Sequence, residues 1–287
     1  MSVSSTEIPE SVLVDGVDGV AMWRAVEYAT VPGYRPLLLD LYRPHDGPPP
    51  PVVVFLHGGG WRVGTRGSVG PMYADWCPSP FARLAASGVA VASLDYRLSG
   101  EARFPAPLED VMAGLHWVRE HAEAVDVDAT RIALWGESAG GHLAALLGLT
   151  DPDVRAVVDW YGPADLSALA GDAAAGGISA VDPAAADSRE ALMLGVAPAA
   201  DPDRARAASP VAHVRAGAPP FLLRHGTGDT LVPSRQSERL ATALESVGAE
   251  VTLDLVPGAD HLWRGAPDVA AAAFDDAAAF LRRHLGV

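Results

Sequence analysis

Gly136-Glu137-Ser138-Ala139-Gly140 sets a serine between two glycines, each two residues away. A serine hydroxyl is a weak nucleophile at neutral pH and needs an adjacent base. A histidine can take its proton and hand it to a leaving group. A carboxylate can hold that histidine in the right tautomer and stabilise the imidazolium. Downstream, Asp229 ends the run His225-Gly226-Thr227-Gly228-Asp229, and His261 follows Gly258-Ala259-Asp260. Of the nine histidines, His261 alone follows the last strand-like run, in a short loop. His57 reads as a brace for a glycine loop, His142 as part of the helix behind the serine, and His225 as a brace for the Asp229 turn. Asp254 and Asp260 compete with Asp229 for the acid. Asp254 lies inside a strand pattern, and Asp260 is bonded directly to His261, which aims its carboxylate badly at the imidazole edge. Asp229 is therefore favoured, with Ser138 as nucleophile and His261 as base.

A second motif is rarer. With 29 Gly in 287 residues, a G-x-S-x-G arises by chance in about one such chain in six, whereas His57-Gly58-Gly59-Gly60 needs about a hundred. Three glycines after a strand let backbone N–H groups point into a cavity with no side chains in the way. The start of a helix after Ser138 offers further unpaired N–H groups where an oxyanion could form.

These motifs need a frame that brings them together. The run 132–135 is short, apolar and of strand length, and Leu143, Leu146 and Leu147 follow at helical spacing. Ser138 thus sits where a strand turns at once into a helix, and Gly136 and Gly140 remove the side chains that would clash there. Runs 23–29, 37–42, 52–56, 89–94, 154–161, 221–224 and 251–256 read as further strands. Helices are expected at 80–87, around Leu108, Val111, Met112, Leu115 and Val118, around Leu240 and Leu244, and from 267 to 285. Such alternation means an α/β fold with a mostly parallel sheet covered on both faces. Ligands in such sheets sit at the carboxyl ends of the strands, and each polar motif falls at one. Residues 1–22 read as a loosely attached N-terminal arm and 23–287 as one catalytic domain. Within it, 162–209 is rich in Ala, Gly, Asp and Pro and reads as a small cap-like insertion of short helices and loops over the sheet edge.

Composition narrows the chemistry. The net charge of −15 argues against nucleic acid or an anionic membrane as partner. Every basic residue is Arg, so no lysine can serve as a Schiff base, phosphate-loop or Ser–Lys group. Cys77 is the one cysteine, which excludes an intrachain disulfide. No ligand spacing for a metal is evident, and no cofactor is expected. Residues 1–20 lack the basic n-region and apolar core of a signal peptide, and no run reaches membrane-spanning length, so a cytoplasmic location is expected. The oligomeric state is left open, a homodimer included.

The chain resembles α/β-hydrolase esterases of the hormone-sensitive-lipase-like and feruloyl-esterase-like group. The matching residues are His57-Gly58-Gly59-Gly60-Trp61, Asp95-Tyr96-Arg97-Leu98, Phe104-Pro105 with Glu109-Asp110, Gly136 to Gly141, His225-Gly226 with Asp229, and Asp260-His261. The resemblance implies Ser138, Asp229 and His261 as the catalytic triad. It implies an oxyanion hole from the N–H groups of Gly59, Gly60 and Ala139, and structural support from 95–110. Glu137 stands where many members of the lipase-like branch have Asp. The implied activity is hydrolysis of a small carboxylic ester through an acyl-enzyme. Arylformamidase, lactonase and acyltransferase chemistry share the same triad, and a binding protein on a hydrolase scaffold is the non-enzymatic alternative. Trp61, Tyr73 and Trp76 are expected to line the cleft and shorten an acyl pocket, favouring acetyl to hexanoyl groups.

Overall fold

The computed structural model describes residues 2–3, 8–177 and 182–287. Its centre is a 10-stranded sheet. The strands are β1 (Ser2–Val3), β2 (Val12–Leu13), β3 (Val20–Thr30), β4 (Leu37–Pro44), β5 (Pro51–Leu56), β6 (Ala90–Leu94), β7 (Asp128–Glu137), β8 (Val154–Trp160), β9 (Phe221–Gly226) and β10 (Val251–Val256). The order is β1-β3-β4-β6-β5-β7-β8-β9-β10, with β2 also on β3. From β6 to β10 every pairing is parallel, whereas β3, β4 and β6 pair antiparallel. The mostly parallel sheet expected from the alternating pattern is thus present, in the arrangement that the resemblance to α/β-hydrolases implies.

Side-chain alternation in the central strands builds two cores. Val52, Val54 and Leu56 of β5, Ile132 and Leu134 of β7, and Phe221 and Leu223 of β9 face one of them. Val53, Phe55, Ala133, Trp135 and Leu222 face the other. The first core is closed by α2 (Ala106–Glu120), α3 (Ala139–Thr150) and α7 (Arg235–Ser246), the second by α1 (Pro80–Ala86) and α8 (Pro267–Leu285). Strands buried on both faces require such continuous apolar runs. Helix α3 is buried from Ala139 to Leu149, the condition under which a helix can be apolar on every side.

Between β8 and β9 lie α4 (Leu169–Gly176), α5 (Arg189–Leu194) and α6 (Pro202–Ala207). Leu169, Met193, Leu194 and Ala205 join the first core, so this insertion is anchored to the sheet. Its residues 178–181 lie outside those described, as do 1 and 4–7 of the expected N-terminal arm. The arm itself is not loose where it is described. Residues 2–3 and 12–13 pair antiparallel with β3 at Thr30 and Ala29 and at Met22 and Ala21. An open strand edge offers unpaired backbone groups, and the arm satisfies some of them.

The path of the chain selects one place for a site. From β5 it runs outward to β6, then crosses back past β5 to β7, so the order reverses between β5 and β7. A crevice opens at the carboxyl ends of the strands at such a reversal. The His57 loop leaves β5 there and the Ser138 turn leaves β7, with Leu56 and Gly136 opposite each other in the register.

Candidate active site

Ser138 adopts φ 53° and ψ −119°, between the last residue of β7 and the first of α3. This conformation is strained for a residue with a Cβ, and the glycines make it feasible. A methyl group on Gly140 would stand 1.9 Å from the Leu56 carbonyl oxygen, and one on Gly136 2.1 Å from the Gly140 oxygen. The turn is fastened by Ser138 N–H donating to Trp160 O at 2.8 Å, in the neighbouring strand.

Asp229 and His261 arrive from the loops after β9 and β10. His261 Nδ1 lies 2.6 Å from Asp229 Oδ2, and Nε2 lies 2.9 Å from Ser138 Oγ. An ionised carboxylate only accepts, so the imidazole proton sits on Nδ1 and Nε2 is free to accept from the serine. Burial works to raise the Asp229 carboxyl, but hydrogen bonds from His225 and His261 outweigh it and hold the group well below the usual carboxylate range. Its other oxygen, Oδ1, accepts from Leu231 N and Val232 N, both at 2.8 Å. The structure thus brings Ser138, His261 and Asp229 into one buried hydrogen-bonded line.

The rival acids and histidines have other partners. Asp254 pairs with Arg224 at 3.0 Å. Asp260 Oδ1 accepts from Thr230 N, Thr230 Oγ1 and its own neighbour's amide, His261 N. His225 donates from Nε2 to Val232 O at 2.8 Å, with Asp229 Oδ2 at 3.2 Å, while the Ser237 hydroxyl lies 2.7 Å from Nδ1. His142 bonds to Ala208 O at 2.7 Å, and burial lowers its pKa to about 4. His57 donates from Nδ1 to Gly58 O at 2.7 Å, and its ring stacks on Tyr96 at 4.3 Å. All three are braces.

The glycine loop curls tightly against this line. Gly59 and Gly60 have φ of 111° and 60°. Arg62 N and Val63 N donate back to Gly59 O at 3.1 and 3.2 Å. The N–H groups of Gly59, Gly60 and Ala139 have no backbone acceptor among the described residues. A cleft of 330 Å³ lies over them, lined by Gly59, Gly60, Arg62, Val63, Ser138, Arg189, Leu231, His261 and Leu262.

Trp61, Tyr73 and Trp76 do not line it, contrary to expectation. Trp61 is 2 % exposed and meets His142 edge-on at 5.0 Å, behind the loop. Tyr73 donates to Ala270 O at 2.8 Å and stacks on Trp160. Trp76 packs on Tyr73 and Phe274, under the Arg83 guanidinium. Rings this large gain more from leaving water than from rimming a solvated cleft, and the second core had room for two of them.

Other residues of the site carried no signal of their own. Glu137, inside the serine motif, accepts from Gly58 N at 2.9 Å and from the Tyr161 hydroxyl at 3.0 Å. It therefore ties the serine turn to the glycine loop. Burial raises its pKa to about 7 against those two hydrogen bonds. Tyr161 in turn packs on the His261 ring at 4.7 Å. Arg189 and Leu262 have no motif around them. Arg62 could have been suspected from following His57 to Trp61 directly.

The BD-FAE family model matches residues 39–244. Among sequence relatives, the esterase LipC of Mycobacterium tuberculosis is 35% identical over 78% of this chain and 56% of its own length. The esterase LipQ of the same organism is 32% identical over 80% of this chain and 55% of its own. The chain thus spans about half the length of the curated relatives it matches. A truncated carbohydrate esterase from gut microbiota superposes with a TM-score of 0.77 at 27% identity, covering 93% of this chain and 96% of that one. An esterase from Thermogutta terrifontis gives 0.69 at 26% identity, covering 93% and 92%. With the matched segment holding β5, the serine turn and the Asp229 loop, the chain belongs to the BD-FAE family of feruloyl-esterase-like α/β-hydrolases.

Proposed function

We propose that this chain is a serine carboxylesterase acting on small esters through an acyl-enzyme on Ser138. The observation that carries the reading is the Asp229–His261–Ser138 line, with 2.6 and 2.9 Å links, beneath a cleft with unpaired N–H groups. His261 Nε2 takes the Ser138 proton as Oγ attacks the ester carbon. The carbonyl oxygen becomes an oxyanion facing the Gly59, Gly60 and Ala139 N–H groups, and Asp229 steadies the imidazolium. His261 then gives the proton to the leaving alkoxide, and the acyl group stays on Ser138. A water, deprotonated by His261 in the same way, attacks the acyl carbon and restores the serine. The esterases among its relatives support an ester as the bond cleaved.

Treatment with a fluorophosphonate should label Ser138 covalently, and Ser138→Ala should lose both labelling and ester hydrolysis while keeping its circular dichroism spectrum. A folded Ser138→Ala protein with wild-type turnover would overturn the mechanism.

A further inference from the structure

The cleft over Ser138 has two unlike walls. On the His261 side stand Leu231 and Leu262, and on the glycine-loop side stand Arg62 and Arg189. Arg189, the first residue of α5, lies directly on the loop. A methyl group on Gly60 would stand 2.6 Å from Arg189 Cδ and 3.5 Å from its Nε. Neither arginine has a carboxylate within 4.0 Å among the described residues.

Eleven of the 21 arginines share this state among the described residues, so what sets these two apart is their place on the cleft wall. Net charge is −15, so acids are in excess. Elsewhere the surface uses them: Arg35 pairs with Glu101, Arg119 with Asp151, Arg239 with Asp172 and Arg264 with Asp260. Asp182, Asp187 and Glu190 share an adjoining hollow of 250 Å³ with Arg62 and Arg189 without closing on either. Two guanidinium groups left open beside a nucleophile offer planar donors that match a carboxylate.

The catalytic geometry assigns the side. The leaving oxygen must lie at His261 Nε2 to receive its proton, so the alcohol falls against the leucine wall. The carbonyl oxygen must face the glycine loop. With those two directions taken, the acyl chain has the remaining opening of the cleft, whose lining includes both arginines. We infer that the ester taken by this site carries a carboxylate on its acyl part, as in a monoester of a short dicarboxylic acid, held by Arg62 and Arg189. This rests on the esterase reading and names the substrate class for that same site.

The experiment compares isosteric esters in which carboxylate replaces methyl. Monoethyl succinate is set against ethyl butyrate, and ethanol release gives the ratio of their kcat/KM values. For the alcohol side, 3-acetoxypropanoate is set against propyl acetate. In the wild-type chain the first ratio should exceed one and fall with added salt. Arg189→Ala and Arg62→Ala should each lower it by about tenfold at low ionic strength, a size expected for one charge-assisted contact. Arg189→Lys should restore part of it. The second ratio should respond to neither arginine. A first ratio that both alanine variants leave unchanged, in proteins with wild-type circular dichroism, overturns the inference. So does an arginine dependence found on the alcohol side. A wild-type chain that hydrolyses none of the four esters fails at the esterase reading instead, and this inference falls with it.

Discussion

At the scale of single residues, the site depends on which groups hold protons. Asp229 accepts from His261 and from two backbone amides, with His225 Nε2 3.2 Å away, so its charge is secured before any substrate arrives. Replacing it with Asn leaves the shape but reverses the donor at the imidazole, and Asp229→Asn should lower kcat/KM by about 10³ to 10⁴. Asp254 pairs with Arg224 and stays 43% exposed at its side chain, so Asp254→Asn should remain near wild type. The opposite ranking in steady-state kinetics would refute the choice of acid. Glu137 makes a separate prediction about stability. Burial raises its pKa from 4.5 to about 7 in the folded chain. Between those values the folded state keeps a proton that the unfolded chain releases. Its contribution to stability is therefore complete below the lower value, declines as pH rises towards the upper one, and is flat beyond. Glutamine is neutral throughout and can still accept from Gly58 N. Glu137→Gln should therefore gain on the wild type in melting temperature between pH 5 and 8, by about a few degrees. Asp159, raised to about 7 by burial against the Gly162 N–H bond, titrates in both proteins and drops out of the difference. A gap in melting temperature that narrows as pH rises would contradict the assignment.

At the scale of elements, the serine turn is a place where backbone meets backbone. The Gly140 methyl would strike the Leu56 carbonyl at 1.9 Å, and neither partner is a side chain that can swing aside. Gly140→Ala should destabilise the chain by about 3 kcal/mol or more, as overpacking of a tight core does. Gly171, inside α4, is exposed and would meet nothing within 4 Å. Gly171→Ala should instead stabilise by about 0.5–1 kcal/mol through helix propensity. Chemical denaturation of the two variants tests both signs. This difference also explains what the sequence made readable. Ser138, Asp229, His261 and the glycine loop lie at strand ends, where a short motif and its strand together fix the position of a side chain. Helix α8 was readable end to end from its periodicity. Arg189 reaches the cleft only because the insertion folds back over the loop, and a run of Ala, Gly, Asp and Pro has no period that reveals such a return. The pairing of residues 2–3 and 12–13 with β3 uses backbone groups that every residue has, so no side-chain pattern marks it. Trp61, Tyr73 and Trp76 misled for a further reason: closeness in sequence to a catalytic loop does not say which way a ring turns. Because Trp61 is packed behind the loop, Trp61→Ala should cost about 3–5 kcal/mol of stability and leave acyl-chain preference where it was.

At the scale of the whole molecule, the question is what kind of ester solution the proposed esterase could meet. Among the described residues no helix is long and apolar enough to cross a membrane. Among the described residues, the large apolar side chains that stay exposed are Val12, Leu13, Tyr34, Val63, Met112, Leu192 and Val287. They are spread along the chain, and of these only Val63 lines the cleft. An enzyme that works at an oil–water interface needs a contiguous apolar rim to settle there. Here two arginines occupy one wall of the opening, and the net charge of −15 opposes adsorption to an anionic surface. The cleft of 330 Å³ is also small, at the low end of the roughly 300–1,000 Å³ common for ligand sites. Both considerations point to monomeric, short-chain substrates, although the aromatic rings first expected to shorten the pocket are not in it. Hydrolysis of p-nitrophenyl esters from acetate to palmitate, kept below micelle-forming concentrations, should peak between acetate and hexanoate and decline beyond. With tributyrin as substrate, the rate should saturate below the solubility limit and show no jump when droplets appear. A peak at dodecanoate or longer would mean that the acyl chain leaves the cleft along a surface groove. A jump at the solubility limit would mean that the insertion between β8 and β9 opens to expose apolar surface that the present conformation hides.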